Sequence, residues 1–149
     1  MIRLARADEL GWVADTIAAA FGIYVARMGR APAPMGADHA ALIAAGEVHL
    51  FEVEGERLGL IVLQAKPDHL FVDIVAVDPA AQHRGVGRAL MRFAEGEARR
   101  LALPAVRLYT NAKMTENLRF YPALGYRQTE ARSEDGYDRV YFEKRVVST

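Results

Sequence analysis

The 149-residue chain contains no cysteine. That excludes disulfides, thiolate metal sites and any cysteinyl covalent intermediate. No apolar run approaches membrane-spanning length, and the start, Met1-Ile2-Arg3-Leu4-Ala5-Arg6, lacks an apolar stretch of signal-peptide length. The expectation is a cytoplasmic protein with no membrane partner. A surplus of either charge is also missing, since Lys+Arg and Asp+Glu both total 19. A nucleic-acid binder needs a basic surplus or stripe, so no nucleic-acid partner is expected. The histidines His39, His49, His69 and His83 have no metal-ligand spacing, and no metal is expected either. Repeats and low-complexity linkers are absent, and the length suits one domain, residues 1–149.

What is present is a run of short apolar segments with clear punctuation. Ile2 to Ala5 reads as a strand, and Asp8 can cap a helix running through Val13 and Ile17 to about Phe21. Gly22 to Gly36 carries Gly29, Pro32 and Pro34, which are expected to break any regular element. A second helix is expected from Asp38 to Ala45, stopping at Gly46. Val48–Val53, Leu58–Gln64 and His69–Val77 follow as three strands, the first two joined by a glycine turn. After a long helix come a strand at Val106–Thr110, a short helix at about Thr115–Leu124, and strands at Tyr126–Ala131 and Arg139–Lys144. The order β-α-α-β-β-β-α-β-α-β-β implies an α/β fold with a mixed sheet and helices on both faces.

One segment stands out. The strand Phe71-Val72-Asp73-Ile74-Val75-Ala76-Val77 passes through Asp78-Pro79-Ala80-Ala81 into Gln82-His83-Arg84-Gly85-Val86-Gly87-Arg88. It re-emerges as a helix whose stripe is Val86, Ala89, Leu90, Phe93, Ala94 and Leu101, apolar but for Glu97. A strand that breaks into a glycine-bearing loop and re-enters as a helix aims free backbone N–H groups at one point. The helix dipole adds positive potential there, so the point suits a phosphate. Glycines at 85 and 87 are expected to keep a Cβ from standing between backbone and phosphate. The plainer alternative is a tight turn entering a helix. A dinucleotide fingerprint fails because Leu90 stands where Gly or Ala is needed, and no acidic ribose ligand follows. A nucleotide P-loop fails because no Gly-Lys-Ser/Thr occurs.

Gln82-x-x-Gly85-x-Gly87, with the downstream tail Phe120-Tyr121-Pro122-Ala123-Leu124-Gly125-Tyr126, resembles the GCN5-related N-acetyltransferases, the GNAT family. The resemblance runs element by element over nearly the whole chain. It implies acetyl-CoA as co-substrate, with the diphosphate on the backbone of Arg84, Gly85, Val86, Gly87 and Arg88. Gln82 and the Arg84 or Arg88 side chains add contacts. It also implies that the strands Phe71–Val77 and Val106–Thr110 splay, with the pantetheine arm pairing with the backbone of Val75 and Val77. Met114 and Asn117 occupy positions where the commonest family form carries an Asn and an Ala; Asn117 either takes over a cofactor contact or satisfies a helix terminus.

The family's catalytic tyrosine falls on Tyr121, a general acid for the departing thiolate; the alternative is a core tyrosine with its hydroxyl at the surface. Asp73, the single carboxylate of an apolar strand and on the same expected face as Val75 and Val77, is the candidate base. A surface carboxylate at the strand's start is the equal alternative. In this family the segment between the first two helices and the last strands shape the acceptor site, which points to Phe21, Tyr24 and Arg27; the alternative is a loop that covers the core or forms a dimer contact. Aromatic rings there could hold an ammonium, and an arginine a carboxylate. The implied function is direct acetyl transfer to a primary amine in a ternary complex, with a small-molecule acceptor favoured by the neutral charge. Alternatives are a protein N-terminal or lysine acetyltransferase and a non-catalytic acyl-CoA sensor. Dimers are common among lookalikes, which leaves a homodimer open.

Overall fold

The computed structural model describes residues 1–146. Along the chain run β1 (Ile2–Leu4), α1 (Leu10–Phe21), α2 (Tyr24–Met28), α3 (His39–Ala44), β2 (Val48–Val53) and β3 (Glu56–Ala65). They are followed by β4 (Leu70–Val77), α4 (Val86–Arg100), β5 (Ala105–Asn111), α5 (Asn117–Ala123), β6 (Arg127–Glu134) and β7 (Tyr137–Arg145). The strands form one mixed sheet in the order β1-β2-β3-β4-β5-β7-β6. β4 and β5 are parallel, whereas β1–β2, β2–β3, β5–β7 and β6–β7 are antiparallel. The α/β fold with a mixed sheet therefore holds, with one helix more than expected between β1 and β2.

That extra helix corrects the reading of Gly22 to Gly36 as wholly irregular. α2 fills Tyr24–Met28, and Gly29 stops it in the left-handed conformation at φ +72°. A 3-10 turn covers Ala33–Gly36, with a proline in its first turn. The breakers sit at element ends, where proline and glycine are tolerated. Asp8 is not the cap of α1. The chain enters through a 3-10 turn, Ala7–Glu9, and the Glu9 carboxylate accepts from the Arg6 backbone N–H at 2.9 Å. Asp8 instead accepts from Arg6 Nε at 3.2 Å. At α3 the cap is as expected, with Asp38 accepting from the Ala41 N–H at 3.0 Å.

Two compact units divide the chain, Met1–Leu63 with Ile74–Phe93, and Gln64–Asp73 with the chain from Ala94 onward. In the first, period-2 alternation in the strands meets helical spacing in α1. Val13 and Ile17 pack on Val48, Leu50, Leu60, Val62, Ile74 and Ala76, all buried. Gly59 of β3 serves the first turns of α4. A Cβ built there would lie 2.9 Å from the Ala76 carbonyl oxygen, 3.0 Å from Val86 Cγ1 and 3.3 Å from Leu90 Cδ1. Only a residue without a side chain lets Val86 and Leu90 come so close to the strand. His49 and Phe93 extend this contact, ring centroids 5.0 Å apart.

The N-terminal edge of the same unit is tied by charge. Glu9, 2 % exposed, takes both Arg3 guanidinium nitrogens at 2.8 Å and Arg57 at 3.3 Å. The Arg3 hydrogen bonds hold its carboxyl at about 2, well below the ordinary 4.5, against the opposing pull of burial.

In the second unit, β5 pairs with β7 along its whole length, from Ala105↔Arg145 to Asn111↔Arg139. Its parallel register with β4 pairs Leu70↔Val106, Phe71↔Arg107 and Val72↔Leu108. Val106, Leu108, Val140 and Phe142 are buried, and the Tyr121 ring of α5 packs 5.9 Å from that of Phe142. β6 is exposed along all of its length but Glu134. No helix among the described residues is long and apolar enough to cross a membrane.

Two outcomes follow from this packing. Gly59→Ala forces a Cβ against backbone and is expected to cost about 1–3 kcal/mol in urea unfolding. Glu9→Gln is expected to lose on the order of 2 kcal/mol at pH 7, because a charged hydrogen-bonded acceptor is removed. Glu9 has a lower pKa folded than unfolded, so its contribution is complete above about pH 4.5 and disappears as pH falls toward 2. The stability gap between Glu9→Gln and the parent should therefore shrink over that window.

Candidate active site

Within the first unit, the turn after β4 is locally determined. Asp78 Oδ1 accepts from the Ala80 N–H at 2.9 Å, and Ala81 is buried. The chain then takes two left-handed steps, His83 at φ +67° and Gly85 at φ +78°. Glycine takes this φ without the strain an L side chain carries there, and a Cβ built at Gly85 would meet no protein atom within 4 Å. The Gly85 carbonyl accepts from the Ala89 N–H at 3.0 Å, which starts the helical ladder.

It follows that the N–H groups of Gly85, Val86, Gly87 and Arg88 are the ones α4 leaves without an intrahelical acceptor. Val86 is buried, which anchors the turn, while Gly85 and Arg88 are exposed. No acidic side chain lies in the first turn of α4. Arg84 is 52 % exposed and meets Glu56 only at 3.9 Å, leaving its guanidinium able to reach an anion. Gln82 is exposed and Gly87 half-buried. Val75 and Val77 are half-buried at the end of β4, flanking buried Ala76. The amides at the start of α4 and the helix dipole give this turn positive potential, an arrangement that suits an anion.

The expected acceptor segment belongs to the same unit. Tyr24 is buried, its ring centroid 6.4 Å from that of Phe21. The Arg27 guanidinium lies 5.1 Å over the Tyr24 ring.

The second unit holds Tyr121, Asp73 and Asn117. Asn117 opens α5 and donates from Nδ2 to Thr110 Oγ1 of β5 at 3.0 Å. Thr110 in turn donates to Met114 Sδ at 3.5 Å. Tyr121 is 7 % exposed, among the rings of Phe120, Tyr126 and Phe142 at 5.1, 5.9 and 5.9 Å. Its carbonyl accepts from the N–H groups of Leu124 and Tyr126, both at 3.0 Å, while Gly125 turns the chain at φ +94°. The tail that carried the family resemblance is thus a helix stop folded back on the tyrosine.

Beneath it lies a group the sequence reading missed. Glu95 of α4 is buried and accepts from the Tyr126 hydroxyl at 3.0 Å and from Lys144 Nζ at 3.0 Å. Lys144 also donates to the Leu124 carbonyl at 2.9 Å. Burial, followed by the Glu95 charge, pushes the Tyr126 hydroxyl far above the usual phenol range. Glu97, the polar residue singled out in the apolar stripe, instead pairs with Arg100 at 2.5 Å. The available signal for Glu95 was its spacing from Met91 and Ala98, both fully buried.

Asp73 is half-buried at the edge of an aromatic row. The Phe71 and Tyr109 centroids are 5.7 Å apart, and those of Tyr109 and Tyr141 5.3 Å. Burial raises the Tyr109 hydroxyl above its ordinary value; Arg139 pulls it down and Asp73 pushes it up. Both charges therefore act on one phenol.

The comparisons agree with this architecture. A family model described as an acetyltransferase (GNAT) domain matches residues 44–128. A mycothiol acetyltransferase of Thermomonospora curvata is 37% identical over 78 residues, covering 52% of this chain and 26% of that protein. The chain thus spans about a quarter of that curated relative. The PaiA N-acetyltransferase of Thermoplasma acidophilum, solved with coenzyme A, superposes with TM-score 0.79 at 16% identity over 97% of this chain and 98% of that one. The ribosomal-protein-S18-alanine N-acetyltransferase of Escherichia coli gives TM-score 0.75 at 19% identity, over 100% and 94%. The structures share the fold, and the family model covers more than half of the sequence, loop and α4 included: the chain belongs to the GNAT acetyltransferase family.

Proposed function

We propose that this chain transfers the acetyl group of acetyl-CoA to the primary amine of a small molecule, by direct attack in a ternary complex. The observation that carries the reading is the set of N–H groups at the start of α4, reached through two left-handed residues and faced by no acid in the first turn. That arrangement fits the diphosphate of the donor, with Gln82, Arg84 and Arg88 as side-chain partners. The backbone of Val75 and Val77, half-buried at the end of β4 on either side of buried Ala76, pairs with the pantetheine amides. Asn117, tied to Thr110, stands as a further donor contact.

In the transfer, the amine nitrogen attacks the thioester carbonyl carbon, and the carbon–sulfur bond breaks. Asp73 takes the proton the amine loses. Tyr121 gives its hydroxyl proton to the departing sulfur. Its ring is held among those of Phe120, Tyr126 and Phe142, which fixes where the hydroxyl is presented. Phe21, Tyr24 and Arg27 contribute to the acceptor side. The Escherichia coli neighbour acts, by its name, on a protein alanine, and the Thermomonospora relative is named a mycothiol acetyltransferase. The balance of 19 basic and 19 acidic residues favours the small-molecule class.

Gly85→Asp combines an unfavourable φ with a negative charge at the dipole's positive end. Calorimetry should show coenzyme A affinity falling on the order of 100-fold. Tyr121→Phe is expected to leave acetyl-CoA affinity within about twofold and to lower kcat by about 100-fold or more, measured as release of free coenzyme A with a panel of amines. Unchanged turnover in Tyr121→Phe would remove the acid assignment. Tight acetyl-CoA binding with no release on any amine would favour the sensor over the enzyme.

A further inference from the structure

Most shielded arginines of this fold meet carboxylates at hydrogen-bond distance. Arg3 reaches Glu9 through two nitrogens at 2.8 Å, and Arg107 reaches Glu143 at 2.6 Å. Arg139 of β7 is different. Its side chain is 12 % exposed, against 23 % for Arg3 and 40 % for Arg107. Its carbon Cζ lies 4.4 Å over the Tyr109 ring and 5.5 Å from that of Tyr137. Yet the carboxylates of Glu134 and Asp135 stand at 3.9 Å each, beyond hydrogen-bond reach. Glu134 Oε1 accepts from the Tyr141 hydroxyl and from Arg132 Nε at 2.8 Å, and it is Oε2 that stands 3.9 Å from Arg139.

A guanidinium presents five N–H donors in a planar fork and does not give up its charge. Stacking on tyrosines satisfies its faces but not its edge. Its edge keeps contact with solvent, so a planar oxyanion can take the place of water there through charge-assisted hydrogen bonds. Asp73 lies two residues along β4 from Phe71, whose ring is 5.7 Å from that of Tyr109, so by strand alternation it shares the sheet face on which Arg139 stacks over Tyr109. An acceptor that bears both an ammonium and a carboxylate matches this pair.

We propose that Arg139 receives the carboxylate of the acyl acceptor, so that the acceptor is a free amino acid or a close relative, its amine directed to Asp73. This rests on the transferase reading above and narrows its substrate class. The test compares free amino acids with the amines made by removing their carboxyl groups, each assayed with acetyl-CoA. In the parent, kcat/KM is expected to favour at least one amino acid over its decarboxylated partner by about 100-fold, the scale of one lost bidentate contact. Arg139→Gln should bring that ratio close to one, and Arg139→Lys should leave it intermediate, since charge remains and the fork does not. Because the ratio is taken within one preparation, partial loss of folded protein does not alter it, and Arg139→Lys carries the test if the glutamine variant does not fold. Equal use of both acceptor forms by the parent, or an undiminished ratio in both variants, overturns this inference and leaves the transferase intact. Absence of coenzyme A binding together with absence of turnover overturns both.

Discussion

The close approach of α4 to β3 at Gly59 is the constraint on which the turn entering α4, and the donor site proposed there, depends. Val86 and Leu90 can pack against that strand only because position 59 has no side chain. Val86 is also the first residue of α4 and sits inside the loop itself. Hydrophobic seating of one side chain therefore fixes the direction in which the neighbouring N–H groups point. An anion site made of backbone is only as exact as the packing that holds the backbone. Here the packing lies one residue away from the donors it orients.

The second unit solves a related problem with charge. Glu95, Tyr126 and Lys144 come from α4, the turn after α5, and β7, and they are joined by hydrogen bonds of 3.0 Å. Lys144 then reaches the Leu124 carbonyl, which ties the end of α5 to the sheet. A buried carboxylate is costly alone but acceptable when both oxygens are engaged. The result is a stop to α5 that keeps Tyr121 in its aromatic surroundings without a covalent link. A chain lacking cysteine has to fix such a helix end by packing and polar contacts.

How much of this was readable in the sequence follows from the range of each signal. The β4–loop–α4 segment was legible because strand, glycine and helix follow one another within a short stretch, and Gly85 declares its conformation locally. The helix stop at Gly125 was legible for the same reason. The boundaries of Gly22 to Gly36 were not, because Pro32 and Gly29 mark element ends as readily as loops. Glu95 escaped because the buried stripe of α4 turns toward Met91 and Ala98, while Leu101, counted in the expected stripe, is exposed. Its partners lie far along the chain. Arg139 shows the same limit: Tyr137 is two residues away, but Tyr109 arrives only through the β5–β7 pairing. Sequence exposes chemistry held by neighbours in the chain and conceals chemistry assembled by the ladder.

The ends of the sheet carry a consequence of their own. One boundary strand, β1, is three residues long. The other, β6, is exposed and carries Arg127, Glu130, Arg132 and Glu134, with Arg132 bridging to both glutamates. Unpaired strand borders invite foreign chains to add themselves, and short or densely charged ones discourage it. This architecture thus guards its margins against amyloid-like growth by brevity at one side and by electrostatics at the other, so concentrated salt, which screens the second defence only, should expose the β6 border first.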